Sequence, residues 1–225
     1  MINFIRPLLT PDEVHALRSG LETATWVDGT TTAGGVARSL KNNQQVDYNH
    51  AGYARMADIV RTAFWRNSDL RAAVLPAFVT QAMFNRYGPG MQYGPHVDMP
   101  LMGHPGDMLR TDVAITVFLS NPDSYSGGEL TVVNADGTTF KFKEAAGAAV
   151  AYPANSLHHV TPVTQGARCA AILWVQSMVR DPARRELLWD LEQARQDIRA
   201  SEGNSATFEA VNRSHMNLLR MWADV

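Results

Sequence analysis

The spacing of apolar positions changes character twice along the chain. In the first third it is helical. Thr10-Pro11-Asp12-Glu13 supplies a capping hydroxyl, a proline at the first helical position and a glutamate placed to close a capping box, and Val14, Leu17 and Leu21 follow as one stripe. Residues 28–45 are polar, glycine-containing and weakly periodic. This predicts a loop or irregular hairpin long enough to act as a flap, although a plain surface connection fits the composition equally well. Helical spacing returns over 51–66 with Met56, Ile59, Val60, Ala63 and Phe64. Ser68 caps a further turn or two to Leu75, and Pro76 stops the helix.

From about residue 79 the period drops to two. The pattern predicts strands over 80–87, 91–97, 112–120, 129–134, 138–143, 148–152, 158–163 and 169–177. The separators are turn formers: Gly88-Pro89-Gly90, Gly127-Gly128, Ala135-Asp136-Gly137 and Gln165-Gly166. Asp136-Gly137, between Leu130–Val133 and Thr139–Phe142, is a hairpin signal. Short strands this closely spaced leave no room for crossover helices, so a sandwich or jelly roll is expected.

Asp181-Pro182 restarts helix, with Leu187, Leu188, Leu191, Ala194 and Ile198 as its stripe and Gly203 as its stop. Asn204 or Ser205 caps a last helix striped by Phe208, Val211, His215, Leu218, Leu219 and Trp222. Such a helical hairpin needs a surface to cover its apolar face, either the β core or a second subunit, so a homodimer through these helices is one expectation. The division that follows is an N-terminal helical and loop region (1–78) packed on a β core (79–178), then the hairpin (179–225).

Composition narrows this little. The 225 residues suit a single-domain globule, and 20 lysines and arginines against 22 acids give no basic surface for nucleic acid or an anionic membrane. No apolar run approaches the roughly 18 residues that span a bilayer. The start lacks a basic n-region, and Arg6-Pro7 interrupts its apolar run, so it does not read as a signal peptide. Cys169 is the only cysteine, which fits a reducing compartment, and the cytoplasm is expected.

The candidate chemistry lies in the β region. In an extended strand His96 and Asp98 project to one face, with Val97 turned away. Alone this is weak, since a surface histidine beside an acid looks the same. His158-His159 offers a second imidazole; neighbouring strand residues face opposite ways, so one of the pair is available, and parity does not say which. Two histidines and a carboxylate leave coordination positions open, as in non-haem Fe(II) oxygenases. A three-ligand catalytic zinc remains an alternative. Arg168 leads an otherwise apolar strand face with Ala170, Ile172 and Trp174. A guanidinium there needs an anionic partner, and its planar fork matches a carboxylate. A metal and a carboxylate clamp together suit a dicarboxylate cosubstrate. Met99–Arg110, with Met99, Met102, His104 and Met108, reads as a substrate rim or a long connection. Trp65 and Trp174 read as core, and His215 as a packed histidine.

The run Tyr87-Gly88-Pro89-Gly90-Met91-Gln92-Tyr93 leading to His96-Val97-Asp98, then Gly127-Gly128-Glu129-Leu130 and His158 followed ten positions later by Arg168, resembles the prolyl 4-hydroxylase type of Fe(II)/2-oxoglutarate-dependent dioxygenase. The resemblance is closest to the bacterial PKHD-type hydroxylases, whose pattern includes Lys41-Asn42-Asn43, Thr111-Asp112-Val113, Ser156-Leu157-His158 and a tail similar to Gln176–Asp181. It covers nearly the whole chain. It implies a double-stranded β-helix core, His96, Asp98 and His158 as iron ligands, and Arg168 on the distal carboxylate of 2-oxoglutarate, with Tyr87 near that cosubstrate. It implies hydroxylation of an unidentified substrate with release of succinate and CO2, and L-ascorbate as a supporting reductant of the iron. The residues alone leave two rivals: a zinc or manganese hydrolase or isomerase on a similar core, and a non-catalytic sensor of iron or 2-oxoglutarate.

Overall fold

The computed structural model describes residues 2–5, 7–32, 34–104, 106–134 and 136–224, with the backbone alone at Val36, Ala37, His104 and Asp107. In chain order the first part comprises β1 (Asn3–Ile5), α1 (Pro11–Glu22), β2 (Trp26–Asp28), α2 (Gly35–Leu40), β3 (Lys41–Asn42), β4 (Gln44–Val46), α3 (Tyr53–Arg66), α4 (Ser68–Val74) and β5 (Pro76–Val79). The β region continues with β6 (Met83–Tyr87), β7 (Gln92–His96), β8 (Leu101–His104), β9 (Asp107–Arg110), β10 (Val113–Phe118), β11 (Tyr125–Gly127) and β12 (Leu130–Val133). It closes with β13 (Thr139–Phe142), β14 (Ala149–Pro153), β15 (Leu157–Val160), β16 (Val163–Gly166) and β17 (Arg168–Ser177), before α5 (Pro182–Glu202) and α6 (Ala206–Trp222).

Local chemistry sets the helix ends. Thr10 accepts from the Glu13 amide while the Glu13 side chain accepts from the Thr10 amide, so the capping box is complete. Asp181 and Ser205 cap α5 and α6 through side-chain oxygens. Leu75 ends α4 at φ 45°, and Pro76 opens β5 in place of another helical turn.

Among the described residues the larger sheet runs β1-β14-β10-β17-β6-β4-β2, with β5 also on β17; the smaller runs β13-β12-β15-β7-β3. The pairings are antiparallel. Strand alternation splits β10 between two cores. Val113, Ile115 and Val117 face α1, α3 and α4, joining Leu17, Val60, Phe64 and Leu70 in the main apolar cluster. Ala114 and Phe118 face the other way and pack with Leu130, Val132 and Phe142 of the smaller sheet. A third cluster, Leu75, Val179 and Leu188, seats the C-terminal hairpin.

Several expectations are corrected. Residues 158–163 form two strands, because Thr161-Pro162 breaks the ladder: proline has no N–H to donate, and the Pro162 carbonyl packs onto Gly127. A Cβ at Gly127, which sits at φ 72°, would lie 2.0 Å from that oxygen. Residues 28–45 hold a short helix and two strands rather than a bare loop, and β3 and β4 extend both sheets. The segment 99–110 is the β8–β9 hairpin. Leu187 is 53% exposed and Ala194 also faces solvent; the buried face of α5 carries Arg185, Leu188 and Glu192 instead. Trp65 is 42% exposed, so it is not core, whereas His215 is buried as expected. Ala135, one of the expected turn formers, and the His104 side chain lie outside the described residues. No described helix is long and apolar enough to cross a membrane.

Candidate metal and cosubstrate site

His96 ends β7 and His158 sits on β15, its antiparallel neighbour, and the ladder places the two residues directly opposite one another. Asp98 follows two residues after His96. Ligand atoms of His96, Asp98 and His158 all lie within 4.8 Å of one another. Asp98 Oδ1 is 4.0 Å from His96 Nε2 and 3.7 Å from His158 Nε2. His159, the neighbour whose parity was open, is outside this cluster.

Each ligand atom is aimed by a contact at the far end of its side chain. His96 Nδ1 lies 2.8 Å from the Gly94 carbonyl, and His158 Nδ1 lies 2.9 Å from the Ser156 carbonyl. A carbonyl can only accept, so each Nδ1 carries the proton and each Nε2 keeps a free lone pair. Trp174 Nε1 donates to Asp98 Oδ2 at 2.9 Å, leaving Oδ1 toward the imidazoles. The Tyr93 ring stacks on His96 with centroids 3.6 Å apart and planes 17° apart. Burial, with His158 beside it, pulls the His96 imidazole down to about 3, so it is neutral and able to ligate at ordinary pH. Burial pushes the Asp98 carboxyl up, opposed by His158 and by the Trp174 hydrogen bond.

Arg168 begins β17 opposite Tyr87 of β6. It is 1% exposed, and its Nε and Nη1 have no hydrogen-bond partner among the described residues. The guanidinium carbon lies 5.3 Å from the Tyr87 ring centroid and 5.7 Å from that of Phe118. Tyr87 is buried as deeply, and burial raises its phenol, with Arg168 opposing. One cavity is lined by His96, Asp98 and His158 together with Arg168 and Tyr87. The donor set and the orphaned guanidinium fit the implied groups: two imidazoles and a carboxylate for a divalent iron, and an unpaired fork for a carboxylate held away from it.

A second cavity adjoins the first and opens past Val97, Met99 and Tyr48, which are each about half exposed. Lys41, Tyr93, His96, Asp98, Met83 and Trp174 line both. Trp174 packs against the smaller-sheet core, as expected, and is in addition a cavity wall and a carboxylate anchor. Its parity with Arg168 on β17 was the available signal. Lys41 was visible only as part of a motif; its position at this junction depends on β3 pairing with β7, which no local pattern announces.

Comparison with known proteins gives a consistent result. A model described as the 2OG-Fe(II) oxygenase superfamily matches residues 82–176, and one described as the PKHD-type hydroxylase C-terminal domain matches residues 182–224. The chain is 46% identical over 224 residues to a PKHD-type hydroxylase of a Caulobacter species, covering 98% of each chain. It is 43% identical over 222 residues to one from Rippkaea orientalis, covering 99% of each. Identity to the Escherichia coli PKHD-type hydroxylase YbiX is 41% over the full length of both. Among solved structures, the fold resembles a Pseudomonas putida prolyl-4-hydroxylase (TM-score 0.52, 19% identity, 78% of this chain and 92% of that one). It also resembles a viral collagen prolyl hydroxylase from Paramecium Bursaria Chlorella virus-1 solved with 2-oxoglutarate (TM-score 0.54, 17% identity, 78% and 96%).

Proposed function

The chain belongs to the PKHD-type hydroxylases and is an Fe(II)- and 2-oxoglutarate-dependent oxygenase; on that premise we propose that His96, Asp98 and His158 hold the iron and that Arg168, with Tyr87, holds 2-oxoglutarate. The observation that carries the assignment is the buried Arg168 guanidinium, whose Nε and Nη1 have no hydrogen-bond partner among the described residues, in the cavity that the three clustered ligand residues also line. A zinc or manganese hydrolase on the same core would leave that cation without a purpose.

When bound, iron and 2-oxoglutarate supply the activation of dioxygen and the oxidising power that hydroxylates the substrate, with succinate and CO2 released. The chain's own contribution is placement. Gly94 and Ser156 carbonyls lock the imidazole tautomers, and the Trp174 indole holds the carboxylate orientation. Arg168 would offer the distal carboxylate the Nε and Nη1 donors of a deeply buried guanidinium. The Tyr87 phenol, on the strand beside Arg168, is in the same cavity wall and is proposed as a further donor to the cosubstrate.

The test is oxygen-dependent succinate release from 2-oxoglutarate after anaerobic loading with Fe(II), including slow turnover without added substrate. Wild type is expected to release succinate and Asp98→Ala to release none. Arg168→Ala is expected to raise the 2-oxoglutarate concentration needed by at least about tenfold, in line with the loss of a charge-assisted pair. Iron binding lost in His159→Ala and retained in His158→Ala would overturn the ligand assignment. The proposal has three further parts. L-ascorbate should prolong turnover by keeping iron reduced. A cytoplasmic location is supported by the lone cysteine. A homodimer through α5 and α6 is supported by exposed Leu187, Met216 and Met221, and sedimentation measures it.

A further inference from the structure

Lys41 is a buried cation that the assigned chemistry does not use. It stands on β3 opposite Tyr93 of β7 and is 7% exposed. Its Nζ donates to Thr32 Oγ1 at 3.0 Å and lies 5.4 Å from the Tyr93 ring centroid. The Thr32 hydroxyl in turn donates a hydrogen bond to Gln45 Oε1 at 2.9 Å. Among the described residues no carboxylate comes within ion-pair distance of the ammonium. Buried ammonium groups are normally paired, because a neutral hydroxyl repays little of their lost hydration.

Position and charge together indicate what the missing partner is. Lys41 lines the inner cavity and also the outer one that opens to solvent, whereas Arg168 lines only the inner. The charged side chains lining the two cavities are Lys41, Arg168 and Asp98. With neutral histidines, divalent iron and doubly negative 2-oxoglutarate, these groups leave one positive charge, and Lys41 carries a cation to where the inner cavity meets the outer one, apart from Arg168, which lines the inner cavity alone. Beside Thr32, His96 and Asp98, the outer wall is mostly apolar or aromatic, with Met83, Met99, Met102, Val97, Tyr93 and Trp174. Thioether and ring surfaces of this kind accept an aliphatic or aromatic body of loosely specified shape.

The geometry points to Lys41 as the anchor for the anionic group of the molecule that is hydroxylated, which makes the substrate class a carboxylate attached to an apolar or aromatic body. This inference rests on the iron and 2-oxoglutarate assignment above and adds the third component of the reaction. The residue comes from the 28–45 segment, so that segment supplies a substrate contact as well as part of the cavity wall.

The shared chemistry, a carboxylate, has two sources: the substrate and the end of 2-oxoglutarate nearest the iron. They are separated by titrating the full chain anaerobically, loaded with Fe(II) and saturated with 2-oxoglutarate, with 3-phenylpropionate and with hexanoate, each against its neutral amide, in a calorimeter. Wild type is expected to bind at least one acid about tenfold or more tightly than its amide. Lys41→Met should abolish that preference, Lys41→Arg should keep it, and the 2-oxoglutarate affinity of both variants should stay within about twofold of wild type. A circular dichroism melt of each variant shows that it is folded. Acids binding no better than amides to wild type, or a preference surviving in folded Lys41→Met, overturns the inference. So does a tenfold loss of 2-oxoglutarate affinity in Lys41→Met, which would make Lys41 a cosubstrate contact. Failure of iron-loaded wild type to bind 2-oxoglutarate is a different result and removes the underlying assignment instead.

Discussion

Trp174 shows how much of this site depends on residues that are not ligands. Its indole N–H holds Asp98 Oδ2, and both residues wall the two cavities. Outer-shell hydrogen bonds of this kind typically alter metal affinity by about 10- to 100-fold. Trp174→Phe keeps an aromatic wall and removes only the donor. It is expected to weaken Fe(II) or Mn(II) binding within that range while leaving the melting temperature nearly unchanged. Calorimetric titration with Mn(II) measures it, and an unaltered affinity would reduce the indole to packing. At this scale His96, Asp98 and Arg168 were legible because strand parity and the cost of burying a guanidinium act locally. The choice of His158 over His159 was not, since both parities on that strand carry apolar neighbours; it came from the resemblance, and the ladder opposite His96 gives it a geometric basis.

Element ends were read well because caps are short-range devices, and the Glu13 box has a consequence beyond α1. Arg66 of α3 reaches Glu13 with both terminal nitrogens, Nη1 to Oε1 at 2.7 Å and Nη2 to Oε2 at 2.8 Å. The Arg66 hydrogen bond, with the amide of Thr10, holds the Glu13 carboxyl at about 2 against its usual 4.5. A carboxyl depressed on folding stabilises the protein fully above its unfolded value, and that stabilisation is lost as pH falls from about 4.5 toward 2. Glu13→Gln is therefore expected to cost about 1 kcal/mol at neutral pH, with the gap to wild type narrowing across that interval. Urea unfolding at a series of pH values reads this, and a pH-independent gap would assign the effect to packing. Strand ends were less legible. The break at Thr161-Pro162 depends on a contact with Gly127 thirty-five residues away in sequence, and only the antiparallel pairing of β11 with β16 brings it about.

At the scale of the whole molecule the site and the C-terminal hairpin rest on different cores. Leu188, 1% exposed, packs with Leu75 and Val179, and Arg185 donates to the Val179 and Arg180 carbonyls at 2.7 and 2.8 Å. No residue of this cluster lines either cavity of the site. Leu188→Ala is expected to lower global stability by roughly 2–5 kcal/mol, the usual cost of emptying a buried leucine position. Iron and 2-oxoglutarate affinities of the folded fraction should not change. Denaturant unfolding beside calorimetric titration at low temperature separates the two quantities, and a coupled loss of cosubstrate affinity would show that the hairpin supports the site.

The amino-acid order by itself determined the capped helix starts at Thr10, Asp181 and Ser205, the switch to a two-residue period and the metal-competent pattern at His96 and Asp98. Those depend on interactions within a few residues of one another, or on the cost of burying one group. Only the tertiary structure decided that β15 lies against β7, that Trp174 orients Asp98 and that Lys41 stands between the cavities. Each of these requires strands far apart in the chain to pair in one register, and register is set by the packing of both sheet faces at once.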